Sequence, residues 1–258
     1  MNVSVLASGS SGNSIFVQAG TTRVLVDAGL AGKPIEKRLE SIGVSPASLH
    51  AIVVSHEHSD HIKGVGVLAR RFGLPVWLTQ GTFEACKEKV FRGKERVRVF
   101  ENDEPFVLGD LHFEPYALSH DAVDPVNFII SDGDSSIGIA TDMGTVTHLV
   151  RERLRGTDLV VLESNYDRNM LMAGPYPWDL KRRISGNRGH LSNSAAAETL
   201  RDLVGGGLKQ AVLAHLSEHS NRPTLASETC RAQLNGLGAR DFSLSVATQE
   251  RPTPIYVV

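Results

Sequence analysis

Residues 54–61 read Val-Ser-His-Glu-His-Ser-Asp-His. His56, His58, Asp60 and His61 set three imidazoles and a carboxylate within six positions, directly behind the apolar run Ala51-Ile52-Val53-Val54. Such a density of polar groups beside a buried segment disfavours regular packing unless something compensates it, and a divalent metal does so. On a strand-to-helix turn, His56 and His58 can face one ion while Asp60 and His61 swing toward a second. Imidazole nitrogen with carboxylate oxygen suits Zn, Mn or Fe, whereas Ca or Mg would call for an all-oxygen set.

Further ligands are expected where other apolar runs end. His120 follows 114–119, Asp142 follows 137–141, His215 follows 211–214, and Asp27 closes Val24-Leu25-Val26. A lone polar residue after a strand is ordinarily a turn former. In company with the octapeptide, His120, Asp142 and His215 read as ligands converging on one sheet edge. His219, four past His215, stays open between touching that edge and not. His50, His112 and His148 have no such setting and read as surface or structural residues.

Placing these residues together requires strands feeding the ligands and helices covering the strands. The periodicity predicts strands at 3–7, 15–18, 23–26, 51–55, 76–78 and 97–100, with helices at 33–42, 62–72 and 82–91. In the second half it predicts strands near 105–108, 111–117, 126–131, 136–141, 159–162, 211–214, 242–246 and 255–258. Helices are expected at 146–154, 192–204 and 224–236, with a loop-rich stretch from 164 to 190. Early strands and late helices in each half imply two sheets packed face to face with helices outside. The chain has 258 residues, of which 41% are hydrophobic. That supports a substantial core, and with no linker or low-complexity segment it reads as one domain over 1–258. A net charge of −2 excludes a global pull toward nucleic acid, so any such binding needs a local basic patch. Cys86 and Cys230 read as two buried thiols in a reducing compartment. The N-terminal run lacks a basic lead, and no stretch approaches the ~20 apolar residues of a membrane span. A soluble cytoplasmic protein, not a membrane one, is expected.

The ordered set Asp27, His56-Glu57-His58-Ser59-Asp60-His61, His120, Asp142, His215 resembles the metallo-β-lactamase superfamily across essentially the whole chain. The resemblance implies an α/β fold, an αββα sandwich of two mixed sheets with outer helices, and two divalent ions at one edge. It assigns His56, His58 and His120 to the first ion and Asp60, His61 and His215 to the second. Asp142 would bridge, and Asp27 would accept hydrogen bonds that fix the ligand loop. Asp60 and Asp142 thereby join His190 as the catalytic set.

Within the superfamily, neither cysteine ends a strand as a zinc β-lactamase ligand would. The residues after His215 finish the sandwich and leave no room for the thioesterases' helical extension. Arg188-Gly189-His190-Leu191-Ser192-Asn193 is similar to the catalytic histidine segment of ribonuclease Z, but 61–120 lacks that enzyme's Gly/Pro-rich arm. The interval from Asp142 to His215 is too short for an inserted β-CASP domain. The segments 7–14, 163–167 continuing to 174–178, and 188–193, with Ala214-His215-Leu216-Ser217, look like the YycJ/WalJ family of single-domain nucleases. That resemblance implies a 5′→3′ exonuclease on double-stranded DNA connected with mismatch repair. His219-Ser220-Asn221 departs from the family's expected acidic or asparagine-rich run.

The residues themselves agree with a phosphodiester substrate. Lys181, Arg182, Arg183 and Arg188 precede His190 in an otherwise near-neutral chain, as a phosphate track or as a solvated helix face. Tyr176 and Trp178 suit stacking on a terminal base, with a core role equally open for Trp178. His190 suits protonation of the leaving 3′-oxygen or clamping of the phosphate. Ser10, Ser11 and Asn13 lie in a Gly/Ser loop that reads as an anion-binding nest or a plain hairpin turn. Ser192 and Asn193 count with them as substrate contacts. DNA is the expected partner, with RNA, the choice of metal and the oligomeric state left open. The competing readings are a ribonuclease Z-like or small-molecule metallohydrolase, acting on an ester, thioester or cyclic phosphodiester, and a metal-stabilised binding module without turnover.

Overall fold

The computed structural model describes residues 1–235 and 242–258. The first half runs β1 (Asn2–Ala7), β2 (Ser14–Ala19), β3 (Thr22–Val26), α1 (Gly32–Ser41), β4 (Ala51–Val53), α2 (Ser59–Ile62), α3 (Val65–Phe72), β5 (Val76–Thr79), α4 (Gln80–Val90) and β6 (Val97–Phe100). The second runs β7 (Phe106–Leu108), β8 (Leu111–Ala117), β9 (Val126–Ser131), β10 (Ser136–Ala140), α5 (His148–Leu154), β11 (Leu159–Glu163), α6 (Arg168–Ala173), α7 (Trp178–Ile184), α8 (Asn193–Gly205), β12 (Gln210–Ala214), α9 (Pro223–Leu234), β13 (Ser243–Val246) and β14 (Tyr256–Val257).

The strands form two seven-stranded sheets, ordered β14-β1-β2-β3-β4-β5-β6 and β13-β12-β11-β10-β9-β8-β7, the C-terminal β14 crossing over to complete the first. The strands alternate two apolar faces, so their sequences read as continuous hydrophobic runs. Val24 and Val26 of β3 and Leu159 and Val161 of β11 point between the sheets, into a core shared with Phe113 and Phe128. Leu25 turns outward against α1 and α3, while Val160 and Leu162 turn outward against α5 and α8. This is the α/β sandwich expected from the sequence. Among the described residues no helix is long and apolar enough to cross a membrane.

Strands β3 to β6 run parallel, and so do β10 to β13. Two antiparallel steps through β9 return β8 to the direction of β10. The carboxyl ends of β3, β4, β8, β10, β11 and β12 therefore carry Asp27, Ser55, His120, Asp142, Glu163 and His215 at or just past their last residues. In parallel sheets this is where ligands bind.

Three differences from the sequence reading have local causes. The helix expected at 62–72 is two, because Gly64 passes against the turn after β3. Its N–H reaches Ala28 O at 2.7 Å, and a Cβ there would lie 2.3 Å from Leu30 O. The stretch 164–190 holds α6 and α7, which are too short to show a helical period. Of the expected strand 255–258, two residues pair, as β14 against β1. The helix expected at 224–236 is present as α9, and residue 236 lies outside the described residues. Cys86 and Cys230 are buried free thiols. Burial pushes them up to about 11 and about 12, so both stay protonated.

Candidate metal centre

The octapeptide leaves β4 and its side chains turn into the space between the two sheets' carboxyl ends. Nδ1 of His58 lies 3.2 Å from Nε2 of His56 and 3.2 Å from Nε2 of His120. Three imidazole nitrogens that close have no mutual hydrogen-bonding reason to converge. Tetrahedral bonds of ~2.0–2.1 Å to one ion place ligand nitrogens about 3.3 Å apart, so the triad fits an ion. Beside it, Nε2 of His61 lies 3.5 Å from Asp60 Oδ2 and 3.3 Å from Asp142 Oδ2, and His215 Nε2 lies 3.6 Å from Asp60 Oδ2. Asp142 also groups with His56 and His61, which sets it between the two clusters. Asp142 Oδ2 and His215 Nε2 are buried with no hydrogen-bond partner. A buried polar atom left unpaired costs about 1–3 kcal/mol. Both orphans aim into the donor cluster, as ligand atoms would.

In four of these five histidines the other ring nitrogen has a partner. His61 Nδ1 donates to Asp27 Oδ2 at 2.7 Å. Ser55 donates to the same carboxylate from its N–H and its hydroxyl, each at 2.8 Å. With its proton so placed, the Ser55 hydroxyl accepts from His56 Nδ1 at 2.9 Å. His120 Nδ1 faces Gly189 O at 3.3 Å, and His215 Nδ1 donates to Glu163 Oε1 at 2.9 Å. Fixing one ring nitrogen as donor leaves Nε2 with its lone pair toward the centre.

Burial alone would keep His61 neutral, but Asp142, Asp27 and Asp60 outweigh it and hold its pKa well above the ordinary value. His215 is raised in the same way by Asp142, Asp60 and Glu163. Burial pulls His56 well down, aided by neighbouring His61. Asp142 resists its own burial because His215 and His61 face it, and it stays well below the carboxylate range. Asp27, Asp142 and His215 have φ of 61°, 58° and 54°, three of the four positive values at non-glycine positions among the described residues. Left-handed backbone is sparsely populated by such residues, and its concentration here marks turns held by their surroundings.

Glu163 is the residue that sequence reasoning left without a role. It ends the run 159–162 as Asp27 ends 24–26, a signal available in the sequence. Its Oε1 accepts from Nδ1 of both His190, at 2.8 Å, and His215, and its Oε2 accepts from Met143 N and Leu191 N. Four donors saturate this fully buried carboxylate, so it braces the candidate ligand His215 and has no free lone pair to offer an ion itself. Burial raises its pKa, yet His190 and His215 bring it below the ordinary value.

His190 lies at the rim, its ring centroid 5.5 Å from that of His120 and 5.0 Å from that of His215. It borders a cleft of about 250 Å³ lined also by Ser10, Asn165, Tyr176 and Arg183. His219 packs against Tyr176 and is not among the donors, and Trp178 is 61% exposed at the start of α7.

Most expected substrate contacts are otherwise engaged. Asn13 accepts from Gly9 N and donates to Asp60 Oδ2 at 3.1 Å, so it orients a ligand. Ser11 N–H is tied to Gln249, and Ser10 alone of the three borders the cleft. Ser192 caps α8 through Ala195 N, and Asn193 is buried between Ser164 and Asn221. In the basic run, Lys181 is spent on Met172 O at 2.7 Å, Arg182 pairs with Asp179, Arg183 with Asp121 at 2.6 Å, and Arg188 clasps His120 O at 3.0–3.1 Å. Each of these cations has a protein partner, although Arg182, Arg183 and Arg188 remain exposed.

Residues 22–216 match the family model described as Beta-lactamase superfamily domain. The chain is 38% identical to exodeoxyribonuclease WalJ of Streptococcus pneumoniae, over 98% of this chain and 96% of that one. It is 35% identical to exodeoxyribonuclease YycJ of Bacillus anthracis, covering 100% and 99%. The metallo-β-lactamase fold protein YhfI of Bacillus subtilis superposes with a TM-score of 0.73 at 19% identity, over 98% of each chain.

Proposed function

The chain belongs to the metallo-β-lactamase superfamily, in the WalJ/YycJ family, and is a metal-dependent hydrolase; from that premise we propose that it is a two-metal 5′→3′ exonuclease acting on duplex DNA. The carrying observation is the pair of adjacent donor clusters around Asp142, opening at His190 onto a surface cleft. His56, His58 and His120 would hold one ion and Asp60, His61 and His215 the other, with Asp142 between. Divalent ions in such a site supply Lewis acidity toward a phosphoryl oxygen and lower a water's pKa to ~7, which gives a nucleophile near neutral pH.

The protein's own groups do the rest. Asn13 and Asp27 keep Asp60 and His61 aimed inward. His190, with Nδ1–H committed to Glu163, holds a proton at Nε2 for a phosphate oxygen or the leaving 3′-oxygen. Glu163 stabilises the imidazolium while that proton is in place. Ser10, Tyr176 and Arg183 border the space beyond, where the terminal nucleotide would sit. We place the activity in DNA repair, following the YycJ/WalJ resemblance.

The test is digestion of end-labelled duplex DNA, single strands and RNA with Mn or Zn supplied. Stepwise release of nucleotides from duplex 5′ ends is expected. Full metal occupancy with no release from any nucleic acid would sink the reading.

A further inference from the structure

The cations of 181–188 each have a protein partner, whereas among the described residues a second group of basic residues beside the ligand loop has none. A cleft of about 320 Å³ begins at the ligand loop itself, with Glu57 and Ser59 at one end and Lys63, Lys89 and Arg92 along it. Lys63 lies just beyond α2, one turn from Asp60. Lys89 is in the last turn of α4, and Arg92 is in the turn that follows. All three are exposed, and among the described residues none pairs with a carboxylate, whereas Arg70 in the same cleft is paired with Glu95. The scaffold beneath is stiff. α3 crosses the end of α4 so closely that a Cβ on Gly66 would lie 2.1 Å from Val90 O, and Arg92 N–H is pinned to Glu95 at 2.8 Å. Glu57 occupies the inner end, where its Oε1 accepts from Val123 N–H at 2.9 Å.

We infer that this rim, Ser59, Lys63, Lys89 and Arg92, is the phosphate track along which a nucleic-acid backbone leaves the metal centre, an inference that rests on the nuclease reading. Three unpaired cations on rigid elements meet sugar-phosphate backbone irrespective of sequence. Each phosphate neutralised releases counterions condensed on the nucleic acid, whereas a cation that keeps its carboxylate partner neutralises none. The track thus runs over residues 59–92 and not over 181–188.

The test compares the wild type with K63E/K89E/R92E, K63Q/K89Q/R92Q and R182E, each metal-loaded. Metal content and turnover of bis(4-nitrophenyl) phosphate, a diester too small to use a track, are expected to match wild type in both triple variants. Duplex Kd in low salt should rise at least about tenfold in the glutamate variant, and the log Kd–log salt slope should become shallower by about 2.7, at ~0.9 per lost contact. The glutamine variant should show the same change in slope with a smaller rise in Kd, which separates lost attraction from misfolding. R182E should move the slope by less than about half a contact's worth. Wild-type Kd and slope in the triple variants, or a larger effect from R182E, overturns the track while leaving the nuclease intact. A wild type that turns over the small diester but binds no DNA or RNA overturns both.

Discussion

Asp27 and Glu163 are the same device built twice, one per sheet, with different outputs. Each is a buried carboxylate closing an apolar parallel strand, and each accepts from ring nitrogens whose partners face the centre. Asp27 serves donors alone: His61 directly and His56 through Ser55. Glu163 splits its service between one donor, His215, and one residue at the open rim, His190. The N-terminal brace therefore serves candidate metal ligands only, whereas the C-terminal brace ties one of them to the cleft. A two-sheet architecture lets one scaffold do both, because each sheet edge is tuned by a single carboxylate.

The comparison can be broken most severely at the residue both halves share. Asp142→Ala is expected to lower kcat/KM by on the order of 10³, ~4 kcal/mol of barrier, with metal content reduced. Retained activity would mean the clusters do not act together. Next come the two braces. Asp27→Asn and Glu163→Gln should each cost about 10–100-fold in metal affinity or activity. Metal analysis should separate them, since Asp27→Asn lowers occupancy and kcat in step whereas Glu163→Gln loses more kcat than metal. His190→Ala should reduce kcat about 10²- to 10⁴-fold with occupancy intact. A double-mutant cycle sharpens this further. Glu163→Gln and His190→Ala should couple by about 0.5–3 kcal/mol, while Asp27→Asn and His190→Ala should add to within about 0.5 kcal/mol. Coupling in both cycles would erase the division of labour. The smallest change, Ser55→Ala, leaves two buried groups short of a partner and should cost about 1–3 kcal/mol of stability by denaturant titration.

The contrast also explains what the sequence displayed. The octapeptide is contiguous, and His120, Asp142, His215 and Asp27 all end apolar runs, so the sheet edge that gathers them was legible. Glu163 ends such a run too, but its two partners come from residues 27 and 52 positions away, and nothing local announces that meeting. The basic run was visible as charge. That each of its cations has a protein partner depends on Asp121, Asp179 and two backbone carbonyls, which only the folded chain brings within reach. Lys63, Lys89 and Arg92, scattered in sequence, become neighbours for the same reason.

The left-handed turns at Asp142 and His215 carry a consequence for evolution and engineering. Non-glycine residues held there cost about 1–3 kcal/mol each, and both side chains also bury polar atoms that the fold alone leaves unpaired. Glycine at either place would relieve strain and desolvation together, yielding a hardier and inert protein. A library of variants ranked by melting temperature alone would drift toward such sequences, so breeding this scaffold for heat tolerance requires selection for turnover at every round.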